Sequence, residues 1–160
     1  MSTSKPFFKT PTDYDCPFCK VACGEGDAIT LPSDIVYHDE QTTVFISPKW
    51  WPNNPGYAII IPNQHYQDIF DLPADVAACI HQTAQKIAQA YITLYQCDGI
   101  STRQHNGAYP LQEVWHYHFH IFPRFHTDQL YALDNQSYRT TPEQRLPYAQ
   151  RLRAYLQDHS

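Results

Sequence analysis

Residues 114–122 read Val-Trp-His-Tyr-His-Phe-His-Ile-Phe, with histidines at every second position, His116, His118 and His120, between bulky apolar side chains. Strand side chains alternate between faces, so this spacing predicts the three imidazoles on one face and Trp115, Tyr117, Phe119 and Ile121 on the core face. Packing alone gives no reason for such a row, since valine or threonine fills a sheet face better and charged imidazoles side by side repel. A solvated polar face is one reading, and two chemical readings stand beside it. Histidines at i and i+2 on a strand can share one metal ion, or one imidazole can attack an electrophile while its neighbours orient and polarise. A neutral imidazole attacks phosphorus well near neutral pH if one ring nitrogen keeps its lone pair and an acceptor holds the proton on the other. The resulting nitrogen–phosphorus bond is labile to water, which splits one displacement into two and gives a ping-pong route.

A second group is Cys16 and Cys19, whose spacing lets two thiolates chelate one metal; a structural zinc needs two further ligands from elsewhere in the chain. Two reduced thiols in a turn is the plainer reading. Five cysteines are an odd number, and Cys23, Cys79 and Cys97 have no comparable partner. Cys79 falls in a helical pattern and reads as packing.

These residues must be positioned by regular elements. Residues 34–38 and 42–46 are rich in β-branched and aromatic side chains and read as a hairpin, with a third strand at 57–61. Between them, residues 47–56 hold three prolines and a glycine, which predicts a loop without regular structure carrying Trp50 and Trp51 and placed to cover a site. From Asp71 the period changes: Val76, Ile80, Ala84, Ile87, Tyr91 and Tyr95 mark one long amphipathic helix with Pro73 in its first turn. Short strands follow at 100–104 and 114–122, the second ended by Pro123, with Asn106-Gly107 as a turn between them. A last helix starts near Thr141 with Pro142 at its first position and runs through Leu146, Leu152, Tyr155 and Leu156. Strands, helix, strands, helix predicts an α+β fold: a mostly antiparallel five-stranded sheet with one long central helix and a C-terminal helix.

The chain has 160 residues, 42% of them hydrophobic and 14% aromatic, enough for one core, so residues 14–160 are expected to form a single domain after a loose lead-in at 1–13. A formal net charge of −5 excludes a polybasic grip on nucleic acid or on an anionic membrane, so any phosphate must be held by local chemistry. No apolar run reaches the roughly 18 residues of a bilayer span, and the first residues lack a secretory apolar stretch, so a cytoplasmic, soluble protein is expected.

The segment from Gln112 to Arg124, Gln-Glu-Val-Trp-His-Tyr-His-Phe-His-Ile-Phe-Pro-Arg, resembles the signature of the histidine triad family of nucleotide hydrolases and transferases. Cys16-Pro17-Phe18-Cys19-Lys20, Ile59-Ile60-Ile61-Pro62-Asn63-Gln64-His65 and Asn106-Gly107 match further family stretches in family order. The resemblance implies a homodimer with joined sheets, each site binding a purine nucleotide at the histidine strand. It implies that His118 is the nucleophile that forms a nucleotidyl-histidine intermediate at an α-phosphorus, with His120 beside the phosphate. Asn106 and Gln112 take the family positions that hydrogen-bond phosphate oxygens, and Phe45 and Ile46 those that line the base pocket. The cysteine pair would join His65 and His116 around a structural zinc, with His38, beside Asp39 and Glu40, as a rival fourth ligand.

Several positions depart from the family pattern. Ser47 stands where a ribose-binding aspartate is common, and a hydroxyl cannot accept twice as a carboxylate does. Tyr57 replaces a usual histidine, and the loop with Trp50 and Trp51 is longer, its indoles either stacking on a base or burying against the domain. Glu113 replaces a Ser or Thr and would repel a polyphosphate unless turned away or acting as an acid. A single catalytic metal held by all three triad histidines, or a nucleotide-binding module with little turnover, are the alternative readings of the same residues.

Overall fold

The computed structural model describes residues 10–107 and 112–159. Five antiparallel strands, β1 (Ile35–His38), β2 (Thr42–Ile46), β4 (Ala58–Pro62), β5 (Gly99–Arg103) and β6 (Phe119–Arg124), form one sheet in the order β1-β2-β4-β6-β5. The short helix α1 (Pro17–Ala22) precedes it, and α2 (Ala74–Tyr95) and α3 (Pro142–Asp158) pack on it. The expected α+β architecture is the observed one.

The long helix follows its apolar period, burying Val76, Ile80, Ala84, Ile87 and Tyr91. Pro73 is its N-cap rather than a first-turn residue, and Gln96 ends it in the left-handed region at φ 51°. Phe119 of β6 meets His81 of α2 at 5.0 Å between ring centres, so that face of β6 is core, and His120 faces the opposite side.

The histidine strand begins later than its alternation predicts. Only Phe119–Arg124 pairs in the sheet, Pro123 lies inside the strand rather than ending it, and residues 114–118 precede it. The reason lies in the backbone partners, since buried amides and carbonyls must be paired somewhere. Pro62 at the end of β4 has no N–H to donate, and its carbonyl accepts from the His116 ring instead at 2.9 Å. Tyr117 N donates to Tyr66 O at 2.6 Å, in the loop beyond β4, and His116 N to Val114 O at 2.9 Å. Trp115, expected on the core face, is only half-buried.

The proline-rich stretch is not free of regular structure: β3 (Lys49–Trp50) pairs with β7 (Tyr138–Arg139) in a two-stranded ribbon. Both tryptophans bury against the domain, Trp50 against Tyr148 and Trp51 against Tyr57 and Phe122. Gly56 is required where this loop enters β4, because φ is +73° and a Cβ there would lie 2.2 Å from the Tyr148 ring.

The C-terminal segment is locked by an ion pair that no apolar pattern announces. Leu146, placed on the helix stripe by its period, is 39% exposed, while the neighbouring Arg145 is fully buried. Its guanidinium grips Asp34 through two bonds of 2.9 Å and donates further to Thr140 O and Ile29 O. Thr140 in turn bonds Pro48 O, so α3, β7 and the tryptophan loop are tied together. Arg145→Met leaves a buried carboxylate without its counter-charge and is expected to cost about 3–5 kcal/mol in urea unfolding, much of it recovered by adding Asp34→Leu.

At the end of β6, Asp128 accepts a forked pair from Arg124 at 2.7 and 2.9 Å, the amides of Phe125 and Leu130, and Asn54 Nδ2. Burial alone would raise its pKa, but these donors outweigh it and hold the carboxyl well below the usual carboxylate range. With the folded value depressed, this stabilisation is complete above the unfolded value near 4 and is lost as pH falls toward the folded one. Asp128→Asn is therefore expected to cost about 2–4 kcal/mol at pH 7, with the gap to the parent protein narrowing below about pH 4 in urea titrations.

Candidate active site and metal centre

His116 joins two structures. Its Nε2 lies 2.9 Å from Pro62 O, and since a carbonyl only accepts, that nitrogen carries the proton and Nδ1 presents a lone pair. Nδ1 faces Cys16 Sγ at 3.4 Å and Cys19 Sγ at 3.6 Å, and His65 Nδ1 lies 3.4 Å from Cys19 Sγ. The four donor atoms all fall within 4.8 Å of one another. A tetrahedral zinc with S at about 2.3 Å and N at about 2.0–2.1 Å requires S···N edges of about 3.6 Å. The cluster thus has the donor types and spacing that zinc takes.

Without a cation, His116, His65 and Cys19 are held neutral. Burial, partly offset by the Pro62 carbonyl, takes His116 down to about 4, and burial also lowers His65. Burial and the adjacent Cys16 push the Cys19 thiol up to about 12. A divalent cation reverses these preferences, since a coordinating thiol gives up its proton. His38, the rival ligand, is exposed and bonds Thr43 Oγ1 at 2.8 Å, away from the cluster.

The second structure is His118. Its Nδ1 donates to the backbone carbonyl of His116 at 2.7 Å, which leaves the lone pair on Nε2. Phe18 of α1 packs edge-on against the ring at 5.4 Å. Burial pulls the pKa of His118 below its ordinary value, against the pull of that carbonyl. His120 sits 5.1 Å from His118 between ring centres and is held well below its ordinary pKa, first by burial and then by the nearby His118 and Arg103. Its Nδ1 is buried with no partner among the described residues. The three triad rings do not converge on one point. His116 belongs to the cysteine cluster, and neither His118 nor His120 is among its donors.

Two cavities meet at His118 and His120. A cavity of about 170 Å³ is mainly apolar, with Phe18, Ile29, Ile59 and Val114 in its wall and Ser47 among its polar residues. The other, about 390 Å³, is bordered mostly by polar and charged residues, among them Lys49, Arg103, His105 and Asp134, with Trp51 and Tyr57 in its wall. A larger hollow, about 660 Å³, lies beside Cys19 and His65 on the metal side and does not include His118. Thr10, from the expected loose lead-in, borders it and donates its amide to Gln67 Oε1 at 2.7 Å; residues 1–9 lie outside the described residues.

The remaining expected residues sit as follows. Gln112 is buried, but its amide is spent on backbone, donating to Gln67 O at 2.6 Å and Val114 O at 3.1 Å and accepting from Gly107 N at 2.9 Å. Asn106 accepts from Ile69 N at 2.8 Å and pairs with Gln104. Both amides brace the turn before the triad rather than standing free for a phosphate. Ser47 Oγ donates to Tyr57 Oη at 2.7 Å. Phe45 and Ile46 are fully buried and back the wall instead of lining it, Phe45 meeting Phe18 at 5.4 Å. Glu113 turns to Lys49 at 3.1 Å, so its charge is met across the mouth of the site.

Sequence reasoning passed over Arg103, His105 and Asp134. A signal for the first two exists, since Ser101, Arg103 and His105 alternate polar side chains along and beyond β5, and Arg103 stands in register with His120. No local signal points to Asp134, which reaches the site from the segment before β7.

A family model described as HIT domain matches residues 29–127. An uncharacterized HIT-like protein of Methanocaldococcus jannaschii is 33% identical over 113 residues, covering 71% of this chain and 81% of that one. A protein of Arabidopsis thaliana named an adenylylsulfatase is 30% identical over 121 residues, 76% of this chain and 58% of its own length. A zinc-bound histidine triad family protein from Mycobacterium smegmatis has a crystal structure that superposes with a TM-score of 0.72 at 28% identity, covering 91% of this chain and 95% of that one.

Metal analysis of the purified protein is expected to give about one zinc per chain, falling below about a tenth of that in Cys16→Ser. Full zinc retention in that variant would remove Cys16 from the ligand set.

Proposed function

Because this chain belongs to the histidine triad family, we propose that it cleaves a purine nucleoside phosphate derivative at the α-phosphorus, with His118 as the nucleophile. The observation that carries this reading is the 2.7 Å bond from His118 Nδ1 to the carbonyl of His116, on a ring that borders both cavities. It fixes the tautomer, so Nε2 holds a lone pair and no base need remove a proton first. The depressed pKa of the buried ring keeps it neutral at pH 7.

The nucleoside enters the apolar cavity, with Ser47 at its polar edge and Phe45 and Ile46 supporting the wall from behind. Nε2 attacks the α-phosphorus, a nitrogen–phosphorus bond forms, and the leaving group departs with the electron pair of its bond to phosphorus. Water then attacks the same phosphorus, the pair of the nitrogen–phosphorus bond returns to Nε2, the proton given up by the water passes to solvent, and a nucleoside monophosphate is released. His120 stands beside the phosphate. Asn106 and Gln112 act by holding the preceding turn in place, which positions the approach to His118. The Arabidopsis relative's name, adenylylsulfatase, supports nucleotide hydrolysis as the reaction class.

Cys16, Cys19, His65 and His116 would hold a structural zinc, whose chemistry is to fix α1 and His116 in place rather than to polarise the substrate. His116 then serves catalysis through its main chain, whose carbonyl orients His118. Two copies with joined sheets form the proposed assembly.

Incubation with an α-labelled adenylyl substrate followed by a base quench is expected to leave label on His118. His118→Ala is expected to lose the label and at least about 1,000-fold in kcat. Turnover at the parent rate by that variant would defeat the assignment.

A further inference from the structure

The proposed cleavage leaves open what the α-phosphorus is cleaved from, and the polar cavity carries the answer. The two cavities share His118, His120, Lys49, Tyr57 and Glu113, so a phosphate at the histidines has one on each side. The apolar one suits a base and ribose. The polar one is left for the leaving group, and its most constrained cation is Arg103.

Arg103 is built as an anion receptor. Its guanidinium lies over Trp51 at 4.7 Å and over Phe122 at 5.0 Å, so its flat face is covered and its donor edge is fixed. Only one of its five N–H donors is used, by Asp134 Oδ1 at 3.0 Å; Nε and Nη2 have no protein acceptor among the described residues. The side chain is 18% exposed, whereas Asp134 is 63% exposed and its charge is correspondingly screened. Partly desolvated guanidinium donors with a fixed edge match a tetrahedral oxyanion, which can take two of them at once. Lys49 adds charge at the shared rim but is already met by Glu113. Asp134 and Ser137 come from the chain beyond residue 127, so this wall lies outside the stretch that the family model matches.

Resting on the hydrolase reading above, we propose that Arg103 is a specificity-determining residue that receives a tetrahedral oxyanion leaving group, phosphate or sulfate. The enzyme then favours nucleoside phosphates with an anionic leaving group over amine-linked ones. When His118 Nε2 bonds to the α-phosphorus, the bridging P–O bond breaks and its electron pair goes to the bridging oxygen. The leaving group gains one negative charge there, and Arg103 stabilises that charge in the transition state. A phosphoramidate differs: its leaving nitrogen takes a proton and departs as an amine or ammonia, to which a guanidinium offers nothing.

The test measures kcat/KM on adenylylsulfate, ADP and adenosine 5′-phosphoramidate for the parent protein, Arg103→Gln, Arg103→Lys and Asp134→Asn. Arg103→Gln is expected to lose about 30-fold or more on the anionic substrates while staying within about threefold on the phosphoramidate. Arg103→Lys should recover part of the loss, and Asp134→Asn should raise the ratio of anionic to amine-linked turnover. A stronger effect on adenylylsulfate than on ADP assigns sulfate, and the reverse assigns phosphate; either supports the proposal. Equal losses on all three substrates in Arg103→Gln, with an unchanged ratio in Asp134→Asn, would overturn it. Persistence of label on His118 in that case leaves the hydrolase reading standing, whereas absence of label from the parent protein with every substrate would remove the reading itself.

Discussion

The site depends on one backbone carbonyl. His116 O accepts from His118 Nδ1 at 2.7 Å, and this contact decides which nitrogen of the buried ring can act as a nucleophile. The carbonyl can do so only if the peptide at 116 is held still. The His116 side chain supplies that restraint, bonded to Pro62 O on one nitrogen and facing two cysteine sulfurs with the other. One residue thus couples the cysteine cluster to the His118 ring, the proposed nucleophile, its side chain fixing its own main chain. Disturbance of the cysteine cluster reaches His118 through a single peptide unit.

The polar cavity is assembled differently, from parts remote in sequence. Its floor is β5 and β6, where Arg103 stands opposite His120. One wall comes from the loop carrying Trp51, and another from the segment before β7 carrying Asp134 and Ser137. These walls are joined to each other by the β3–β7 ribbon and by Thr140 on Pro48 O, and to the domain by Arg145 on Asp34. The pair of charges is fully buried and ties the C-terminal segment to the residue just before β1. Asp128 does the same at the end of β6, where its carboxylate gathers Arg124, Asn54 and two amides.

Much of the fold was legible because the periods are clean. The stripe of Val76, Ile80, Ala84, Ile87 and Tyr91 admits only a helix, and the hairpin of β1 and β2 follows from two β-branched runs around Asp39 to Gln41. The misplacements share a cause. Alternation through residues 114–122 suggested one strand, but alternation constrains side chains, whereas strand pairing needs a partner backbone, and Pro62 ends that partnership. Prolines in the 47–56 loop suggested irregularity, yet Lys49 and Trp50 keep their amides and pair with a segment about ninety residues on, a contact no local window contains. Leu146 follows the apolar period of its helix while Arg145 is buried, because the partner that makes burial of a guanidinium tolerable is Asp34, at the other end of the chain.

By itself the sequence determined the chemical inventory: three alternating imidazoles, a cysteine pair at chelating spacing, a formal net charge of −5, and the α+β order of elements. These are properties of residue type and spacing, which a chain carries whether folded or not. Only the tertiary structure decided which imidazole joins which neighbour, that His116 turns to the cysteines while His118 turns to a carbonyl, and that the amide of Gln112 is taken by backbone and that of Asn106 by Ile69 N and the Gln104 side chain. It alone placed Arg103 and Asp134 beside His120. Tautomer, hydrogen-bond saturation and electrostatic neighbourhood are set by distances of a few ångströms between residues far apart in the chain, and those distances exist only after the layers have packed.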